Sequence, residues 1–323
     1  MAAAPTVSKR KSKQAKTAPR PPANHLKFWG VRGSIPTPGP TTVRYGGNTS
    51  CVEVRADGEI IILDGGTGLR PLGRHLVQEF NGNPLKLTLL LTHTHWDHIQ
   101  GLPFFLPFYE PQNHLRILGY EGARRGLEHV LNSQMESPFF PIELPQVPAN
   151  IEIEELKEMQ FEVGKIHVEA CLANHPGVCV GYRLFTSGGS VAFFPDNEPH
   201  YGHSHGRPEP GAGENTLLEL ARNEDKRMME FARGCDVLIM DAQYERGEYE
   251  ARRGWGHACM DDVINFALEA KVKRLFLFHH DPEHDDARIE KMVAQGRKLI
   301  AGKKGKLRLE AAREGATVPL TVA

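Results

Sequence analysis

The chain has 323 residues, which is long enough for one large domain or two small ones. Its apolar fraction of 40% and charged fraction of 24% are typical of a globular protein. Its formal net charge of −1 gives no general reason to expect binding to nucleic acid or to a membrane surface.

The cysteines and histidines narrow the class of protein further. The five cysteines are scattered and never in C-x-x-C spacing, which excludes a zinc knuckle and favours a reducing compartment. The chain has no apolar run of membrane length, and its first two dozen residues lack the apolar core of a secretory signal. We therefore expect a cytoplasmic protein without a membrane partner. The sixteen histidines, many of them clustered, indicate metal binding.

Residues 1–24 differ in composition from the rest of the chain. They are rich in Ala, Pro, Ser and Thr and carry six basic residues but no acidic one. Such a segment cannot bury enough apolar surface to fold, so we predict a disordered basic tail followed by one domain over residues 25–323. A nucleic-acid-binding arm and an organelle transit peptide are alternatives with the same composition.

Strand-like runs recur from residue 25 onward, first as hairpins and then in alternation with helical patterns. The runs are HLKFW, SCVEV, EIIILD, KLTLLLTH, LRILGY, IHVEACLA, VCVGYRLF, SVAFFPD, DVLIMDA and RLFLFHH. The clearest helical patterns are GARRGLEHVLNSQ, ENTLLELARNEDKRMMEFARG and MDDVINFALEAK. This order predicts a layered α/β domain whose helices cover the outer faces of its sheet. Residues 137–148 and 197–215 fit neither pattern and are predicted to be inserted surface loops.

The stretch LTHTHWDHIQG, residues 91–101, places three histidines and an aspartate directly after the apolar run KLTLLL. That run is expected to be a buried strand, and α/β folds place ligand sites at the ends of such strands. His93 and His95 alternate, so both can face one ion, whereas Asp97 and His98 follow where a helix should begin and can face a second ion. Imidazole and carboxylate suit Zn²⁺, although Mn²⁺ and Fe²⁺ bind the same groups.

The pattern T-H-x-H-x-D-H after a strand resembles the signature of the metallo-β-lactamase fold superfamily. The resemblance runs from about residue 26 to about residue 286 and includes three later pieces in the expected order. These pieces are ANHPG with His175, FFPD with Asp196 and LFLFHHDP with His279. The resemblance implies a four-layer αββα sandwich that binds two divalent metal ions, with Zn²⁺ preferred.

The resemblance also implies how the ligands divide between the two ions. Metal one would be held by His93, His95 and His175, metal two by Asp97, His98 and His279, and Asp196 would be shared. His280 is the alternative to His279, because both follow the same strand and the sequence does not fix the register. Asp64 in ILDGGTG is expected to support a ligand histidine, with a turn-stabilising role as the alternative.

Four further pieces resemble one branch of the superfamily, that of ribonuclease Z and the cyclic-phosphate phosphodiesterases. They are VRGSIPTPG, RYGGNTSCVEV, MDAQY and GWGHA. In that branch a carboxylate after a late strand pairs with a histidine, and Asp241 and His257 match those places. His257 would then protonate the leaving alkoxide or stabilise a phosphoryl oxygen. A buried Asp–His hydrogen bond that only supports a helix is the alternative.

Two departures argue against tRNA as the substrate. Asp241 stands where ribonuclease Z commonly has glutamate. Ribonuclease Z also carries an arm that grips tRNA, whereas the loop at residues 197–215 has a single arginine, Arg207, and is too poor in charge for several phosphate contacts. Nucleic acid is therefore the less favoured partner.

We predict a dinuclear metal-dependent phosphodiesterase that hydrolyses a small cyclic or linear phosphodiester, with a cyclic nucleotide favoured. A hydroxide bridging the two metals would attack phosphorus. The predicted catalytic residues are Asp97, Asp241 and His257, and the predicted substrate contacts are Arg32, Ser34, Phe139 and Phe140. The two phenylalanines would stack a base, or alternatively pack a helix onto the sheet.

Three other functions fit the same metal site. They are tRNA 3′-end cleavage, thioester hydrolysis and a non-catalytic sensor or binding module that contains the metals. The resembled branch also implies a homodimer, although no residue pattern in this sequence marks the interface.

Overall fold

The computed structural model describes residues 23–120, 126–199 and 214–321, and it describes the side chains of all of these except residues 214–222. Residues 1–22 of the predicted tail lie outside the described residues. The same is true of residues 200–213 in the predicted loop at 197–215, which include Arg207.

The described strands form two seven-stranded sheets. The first has the order β14-β1-β2-β3-β4-β5-β6, with β1 (His25–Gly30), β2 (Cys51–Ala56), β3 (Glu59–Leu63), β4 (Lys86–Leu90), β5 (His114–Gly119), β6 (Asn150–Glu155) and β14 (Thr317–Pro319). The second has the order β13-β12-β11-β10-β9-β8-β7, with β7 (Gln160–Val163), β8 (Ile166–Leu172), β9 (Val180–Thr186), β10 (Gly189–Phe194), β11 (Val237–Asp241), β12 (Arg274–Phe278) and β13 (Arg308–Ala311).

Helices connect the strands and cover the outer faces of both sheets. They are α1 (Leu69–Phe80), α2 (Trp96–Ile99), α3 (Leu127–Gln134), α4 (Glu214–Ala232), α5 (Arg246–Tyr249), α6 (Met260–Glu269) and α7 (Asp286–Gly302). Short 3-10 helices lie at Leu102–Phe104, Leu106–Tyr109 and Leu144–Gln146. Among the described helices, none is long and apolar enough to cross a membrane.

Three apolar clusters show that the layers are helix, sheet, sheet and helix. The middle cluster fills the space between the sheets and includes Phe28 of β1 and Phe193 of β10. A second cluster packs Leu72 of α1 against the outer face of the first sheet, and a third packs Ile264 of α6 against the outer face of the second sheet. Each sheet is therefore buried on both faces, which confirms the predicted four-layer αββα sandwich.

The pairing of the strands explains where the polar cluster lies. Strands β3, β4, β5 and β6 pair in parallel within the first sheet, and β10, β11, β12 and β13 pair in parallel within the second. The carboxyl ends of β4, β10, β11 and β12 carry most of the predicted metal-binding and acid–base residues, whereas His175 follows β8 and His257 precedes α6. In open parallel sheets this edge is the usual place for a ligand site.

The predicted loop at residues 137–148 packs onto the outer face of the first sheet rather than standing free of the domain. Leu144 and Val147 are buried in the cluster beneath α1 and α3, and Phe140 and Ile142 pack against it. Phe139, in contrast, is 80% exposed. The segment is thus a covered surface loop with one aromatic side chain pointing outward.

Candidate metal centre

The motif at residues 91–101 changes direction immediately after β4. His95 has extended backbone angles and stands as the N-cap of α2, whose first turn contains Asp97. The strand end therefore presents His93 and His95 from an extended segment, while α2 presents Asp97 and His98 from a helical turn. This confirms the local structure on which the two-ion interpretation depends.

Residues that follow three other strands, β8, β10 and β12, meet the motif in two overlapping groups. The first group is His93, His95, His175 and Asp196, and the second is Asp97, His98, Asp196 and His279. Within each group, the potential ligand atoms all lie within 4.8 Å of one another. The structure thus brings together all seven predicted ligands.

Asp196 stands between the two groups and turns one oxygen to each. Its Oδ2 atom lies 3.6 Å from His93 Nε2 and 3.5 Å from His175 Nε2. Its Oδ1 atom lies 3.2 Å from His98 Nε2 and 3.1 Å from His279 Nε2. Ligand atoms about 2.1 Å from a tetrahedral Zn²⁺ are about 3.4 Å apart, so these separations fit a shared carboxylate.

Several of the clustered atoms are buried without a hydrogen-bond partner. They are His93 Nε2, His98 Nε2 and Asp196 Oδ1. Buried polar atoms are normally hydrogen-bonded, and an exception requires an explanation. Because these three atoms face the inside of the two groups, the chemistry of the donor set fits two divalent ions.

Charge and burial also suit metal binding. Burial lowers the pKa of His93 well below its usual value, and the neighbouring His98 lowers it further. Burial raises the pKa of Asp196, but His279 and His98 more than offset this, so the pKa lies well below its usual range. A neutral imidazole and an ionised carboxylate are the forms that bind metal.

A second set of residues hydrogen-bonds to the Nδ1 atoms of the ligand histidines His98 and His279, whose Nε2 atoms face the centre. Asp64 accepts from His98 Nδ1 at 2.7 Å and from the Thr92 amide at 2.9 Å. Gln243 Oε1 accepts from His279 Nδ1 at 2.9 Å. Asp64 was the predicted support for a ligand histidine, whereas Gln243 was not singled out although MDAQY contains it. Fixing one ring nitrogen directs the other toward the centre.

The register at the end of β12 places His279, not His280, in the cluster. His279 Nε2 lies 3.1 Å from Asp97 Oδ2. His280 Nε2 instead donates to the Ala312 carbonyl at 2.9 Å. The His279 backbone is left-handed, with φ 57°, and Gly33 packs so closely on its ring that a Cβ atom there would collide with Nδ1.

Three non-glycine residues at the centre have left-handed backbone: Ser34, Asp64 and His279, with φ of 62°, 63° and 57°. This conformation costs of the order of 1–3 kcal/mol for each such residue. Surrounding contacts must compensate for it. Such strain concentrates at functional sites.

Asp241 and His257 form the predicted pair. His257 Nδ1 donates to Asp241 Oδ2 at 2.9 Å, and Asp241 Oδ1 accepts from the Gln243 amide at 2.9 Å. Burial lowers the pKa of His257, but Asp241 outweighs it and the pKa rises to about 9. The His257 ring lies 5.3 Å from that of His175 and 4.8 Å from that of His279, measured between centroids.

Of the predicted substrate residues Ser34 and Arg32, only Ser34 contacts the centre. The Ser34 amide donates to Asp97 Oδ2 at 2.8 Å, and the Ser34 side chain is exposed. Arg32, in contrast, is fully buried, and its guanidinium donates to the carbonyls of Gly46, Asp281 and His284. The structure therefore does not bring Arg32 to the site, because its charge is used to join the early loop to the segment after β12.

Comparisons with known proteins agree with this geometry. Residues 59–209 match the family model described as the β-lactamase superfamily domain. The chain has the metallo-β-lactamase fold, as two solved structures show. YhfI of Bacillus subtilis, a metallo-β-lactamase fold protein, superposes with a TM-score of 0.62 at 15% identity, over 91% of this chain and 98% of that one. Yeast PDE1 superposes with a TM-score of 0.59 at 16% identity, over 93% of this chain and all (100%) of that one.

A curated relative narrows the class within this fold. The ribonuclease Z of Metallosphaera sedula is 26% identical over 263 residues, which are 76% of this chain and 87% of that enzyme. Together with the fold and the two ligand groups, this similarity indicates a metal-dependent hydrolase. This confirms the predicted enzyme class at that level.

Proposed function

We propose that this metallo-β-lactamase-fold hydrolase cleaves a small cyclic or linear phosphodiester, with a cyclic nucleotide as the favoured substrate. The observation that carries the proposal is the position of His257. Its ring lies beside His175 of the first ligand group and His279 of the second, and Asp241 holds it from behind. A proton donor placed there serves a leaving oxygen between the two groups.

The ligand assignment follows the two groups. His93, His95 and His175 would hold one ion, Asp97, His98 and His279 would hold the other, and Asp196 would hold both. Zn²⁺ is the proposed metal, because imidazole nitrogen dominates the donor set. When bound, two such ions lower the pKa of a water molecule and neutralise charge on the phosphoryl oxygens.

The proton donor favours phosphodiesters over thioesters. Cleavage of an alkyl phosphodiester breaks a P–O bond, and the departing alkoxide must gain a proton. A thiolate leaves without one at neutral pH, since thiols have pKa values near 8.5. Only phosphodiester cleavage needs a proton donor such as His257, whose Nδ1 proton is fixed by Asp241. His257 therefore donates to the leaving oxygen, and Asp241 orients it.

Other residues at the mouth of the site contribute contacts. We infer that the exposed Ser34 hydroxyl meets a phosphate oxygen, because its amide already contacts Asp97. Phe139 is the exposed aromatic of the 137–148 loop and is proposed to stack a base. Phe140 supports it from the core, where its ring contacts Phe104 edge to face at 5.6 Å.

Cleavage of an RNA 3′ end is the second candidate function. It is favoured by the 26% identical relative, which is a ribonuclease Z. RNA as a partner of this chain and a homodimer both remain proposals. The two candidate functions use the same metal ligands and the same proton donor. They differ in the size of the substrate, which an experiment can test.

The decisive experiment is a substrate panel with the purified protein and its bound metal. It should contain 3′,5′- and 2′,3′-cyclic nucleotides, a precursor tRNA and an acyl thioester. We expect turnover of a cyclic nucleotide and none of the thioester. A far higher kcat/KM on precursor tRNA would establish the second candidate instead. Two bound ions without turnover of any diester would contradict both and leave a metal-containing binding module.

A further inference from the structure

The mouth of the metal centre carries two exposed tryptophans. Trp96 is 72% exposed and lies between the proposed ligands His95 and Asp97, and Trp255 is 61% exposed and lies two residues before His257. The third tryptophan of the chain, Trp29, is half-buried and donates from its indole to Glu53. Large exposed aromatic side chains beside a site are more informative than scattered apolar residues.

Both tryptophans adjoin residues that contact the same imidazole. His95 Nδ1 lies 3.0 Å from His175 Nε2, at one edge of the His175 ring. The Gly256 carbonyl accepts from His175 Nδ1 at 2.9 Å, at the other edge of that ring. Trp96 directly follows His95, and Trp255 directly precedes Gly256. The backbone segments that carry the two indoles therefore lie on opposite sides of the His175 ring.

The backbone of Trp255 is fixed although its side chain is exposed. Glu198 is only 6% exposed, and its carboxylate accepts from the amides of Gly254 and Gly256, at 2.9 Å each, on both sides of Trp255. The Tyr249 hydroxyl donates to the same carboxylate at 2.8 Å. A buried carboxylate with several donors is a strong local restraint, so the backbone is fixed on both sides of Trp255.

Trp96 is fixed in a different way. It is the first residue of α2, and its carbonyl accepts from the Gln100 amide at 2.8 Å. Its two neighbours in sequence belong to the ligand groups. Both indoles are therefore presented on rigid backbone, which lowers the entropy that a ligand must overcome to stack on them.

We propose that Trp96 and Trp255 form a stacking site for an unpaired nucleobase of the substrate. A cavity of about 380 Å³ next to this site is lined by His175, Pro176 and Gly254 and gives room for the attached sugar. The inference rests on the proposed phosphodiesterase function and narrows it, because it requires a diester with a nucleoside on at least one side. Stacking accepts any base, so no base preference follows from it.

Two diesters with the same leaving group test this directly. They are the p-nitrophenyl ester of thymidine 5′-monophosphate and methyl p-nitrophenyl phosphate, which lacks a base. We expect the wild type to prefer the nucleotide ester. Trp96→Ala and Trp255→Ala should each raise its KM about 5- to 150-fold, as loss of one stacked base does. The same variants should leave kcat/KM on methyl p-nitrophenyl phosphate unchanged, and Trp→Phe variants should restore most of the preference.

Val43→Ala is the matched control. Val43 is also exposed and apolar, but its neighbours Arg44 and Tyr45 donate from their amides to Asp286 of α7. It should leave both substrates unaffected. Equal losses on both substrates in the tryptophan variants, or no loss on either, would overturn the proposal. So would conversion of a wild-type dimer into monomers by Trp96→Ala and Trp255→Ala, since the indoles would then serve a second copy of the chain.

A binding measurement separates this inference from the proposed function. If the wild type hydrolyses neither diester, the proposed function fails, and tryptophan fluorescence still tests the stacking site. Quenching by adenosine monophosphate that is lost in both variants supports the inference alone, and absence of quenching overturns it. Tighter quenching by a short single-stranded RNA than by the mononucleotide would identify a nucleic-acid end as the source of the base.

Discussion

The imidazole rings of His257 and His279 stack, with centroids 4.8 Å apart and planes inclined by 22°. His279 reaches the cluster from the end of β12, whereas His257 precedes α6 and is bonded to Asp241 at the end of β11. The stacking thus joins a proposed metal ligand to the proposed proton donor. It explains how a residue without a place in either ligand group still faces the reaction.

Replacement of His257 should affect the reaction according to its leaving group. In His257→Ala we expect kcat on a cyclic nucleotide to fall about 10²- to 10⁴-fold, the usual contribution of a general acid. A p-nitrophenyl diester should lose much less, because its leaving group needs no proton. Steady-state kinetics on both substrates, with metal content measured alongside, provide the check. Equal losses on both would mean that His257 acts through the metals or the fold.

Replacement of His279 and of His280 should have separate effects, although the two are adjacent. His279→Ala should lower the metal content by one ion per chain, because its Nε2 faces Asp97 and Asp196. His280→Ala should keep both ions and lower the free energy of unfolding by about 1–3 kcal/mol, since the Ala312 carbonyl loses its buried partner. Metal analysis and denaturant unfolding distinguish them. The reverse pattern would show that the register at the end of β12 is different.

Asp64 should prove to be a support for the centre rather than a ligand. Its carboxylate accepts from His98 Nδ1, the Thr92 amide and the Ser50 hydroxyl, all of them buried. Asp64→Ala should weaken metal binding about 10- to 100-fold, as loss of such partners does elsewhere. Competition with a chelator of known affinity measures this. Unchanged affinity would show that the His98 ring needs no support from Asp64.

The spacing of the motif at residues 91–101 predicted four of the seven residues in the two ligand groups. The resemblance to the metallo-β-lactamase fold implied the sandwich and the other three, His175, Asp196 and His279. The structure brings the seven together because short polar motifs follow strands whose carboxyl ends meet at one edge. The supporting role of Asp64 could be predicted for the same reason, since Asp64 directly follows β3.

Long-range contacts explain what the sequence could not provide. Arg32 looked like a phosphate contact, but its side chain reaches carbonyls of Asp281 and His284, far along the chain. Glu198 and Gln243 are ordinary polar residues until the fold places them behind Gly256 and His279. No local pattern marks such partners.

The helical patterns singled out from the sequence also leave out α1 and α7. Both contain glycine inside the helix, at Gly73 and Gly296, so intrinsic propensity argues against them. In the structure Gly73 packs against Phe105, and Gly296 packs against Leu309 and Ile264, where a Cβ atom would be crowded. Close packing at these two glycines outweighs the propensity, and the sequence alone does not show those contacts.

Two ions shared by Asp196 carry the proposed hydrolysis, and a zinc titration distinguishes this from a reaction at a single ion. Metal-free protein should receive Zn²⁺ in measured equivalents while turnover of a phosphodiester and melting temperature are followed. We predict that activity rises to a plateau at two ions per chain, that Tm rises with it because metal binds only the folded state, and that Asp196→Ala shows neither change. A plateau at one ion per chain, or full activity in the presence of excess chelator, would contradict the account.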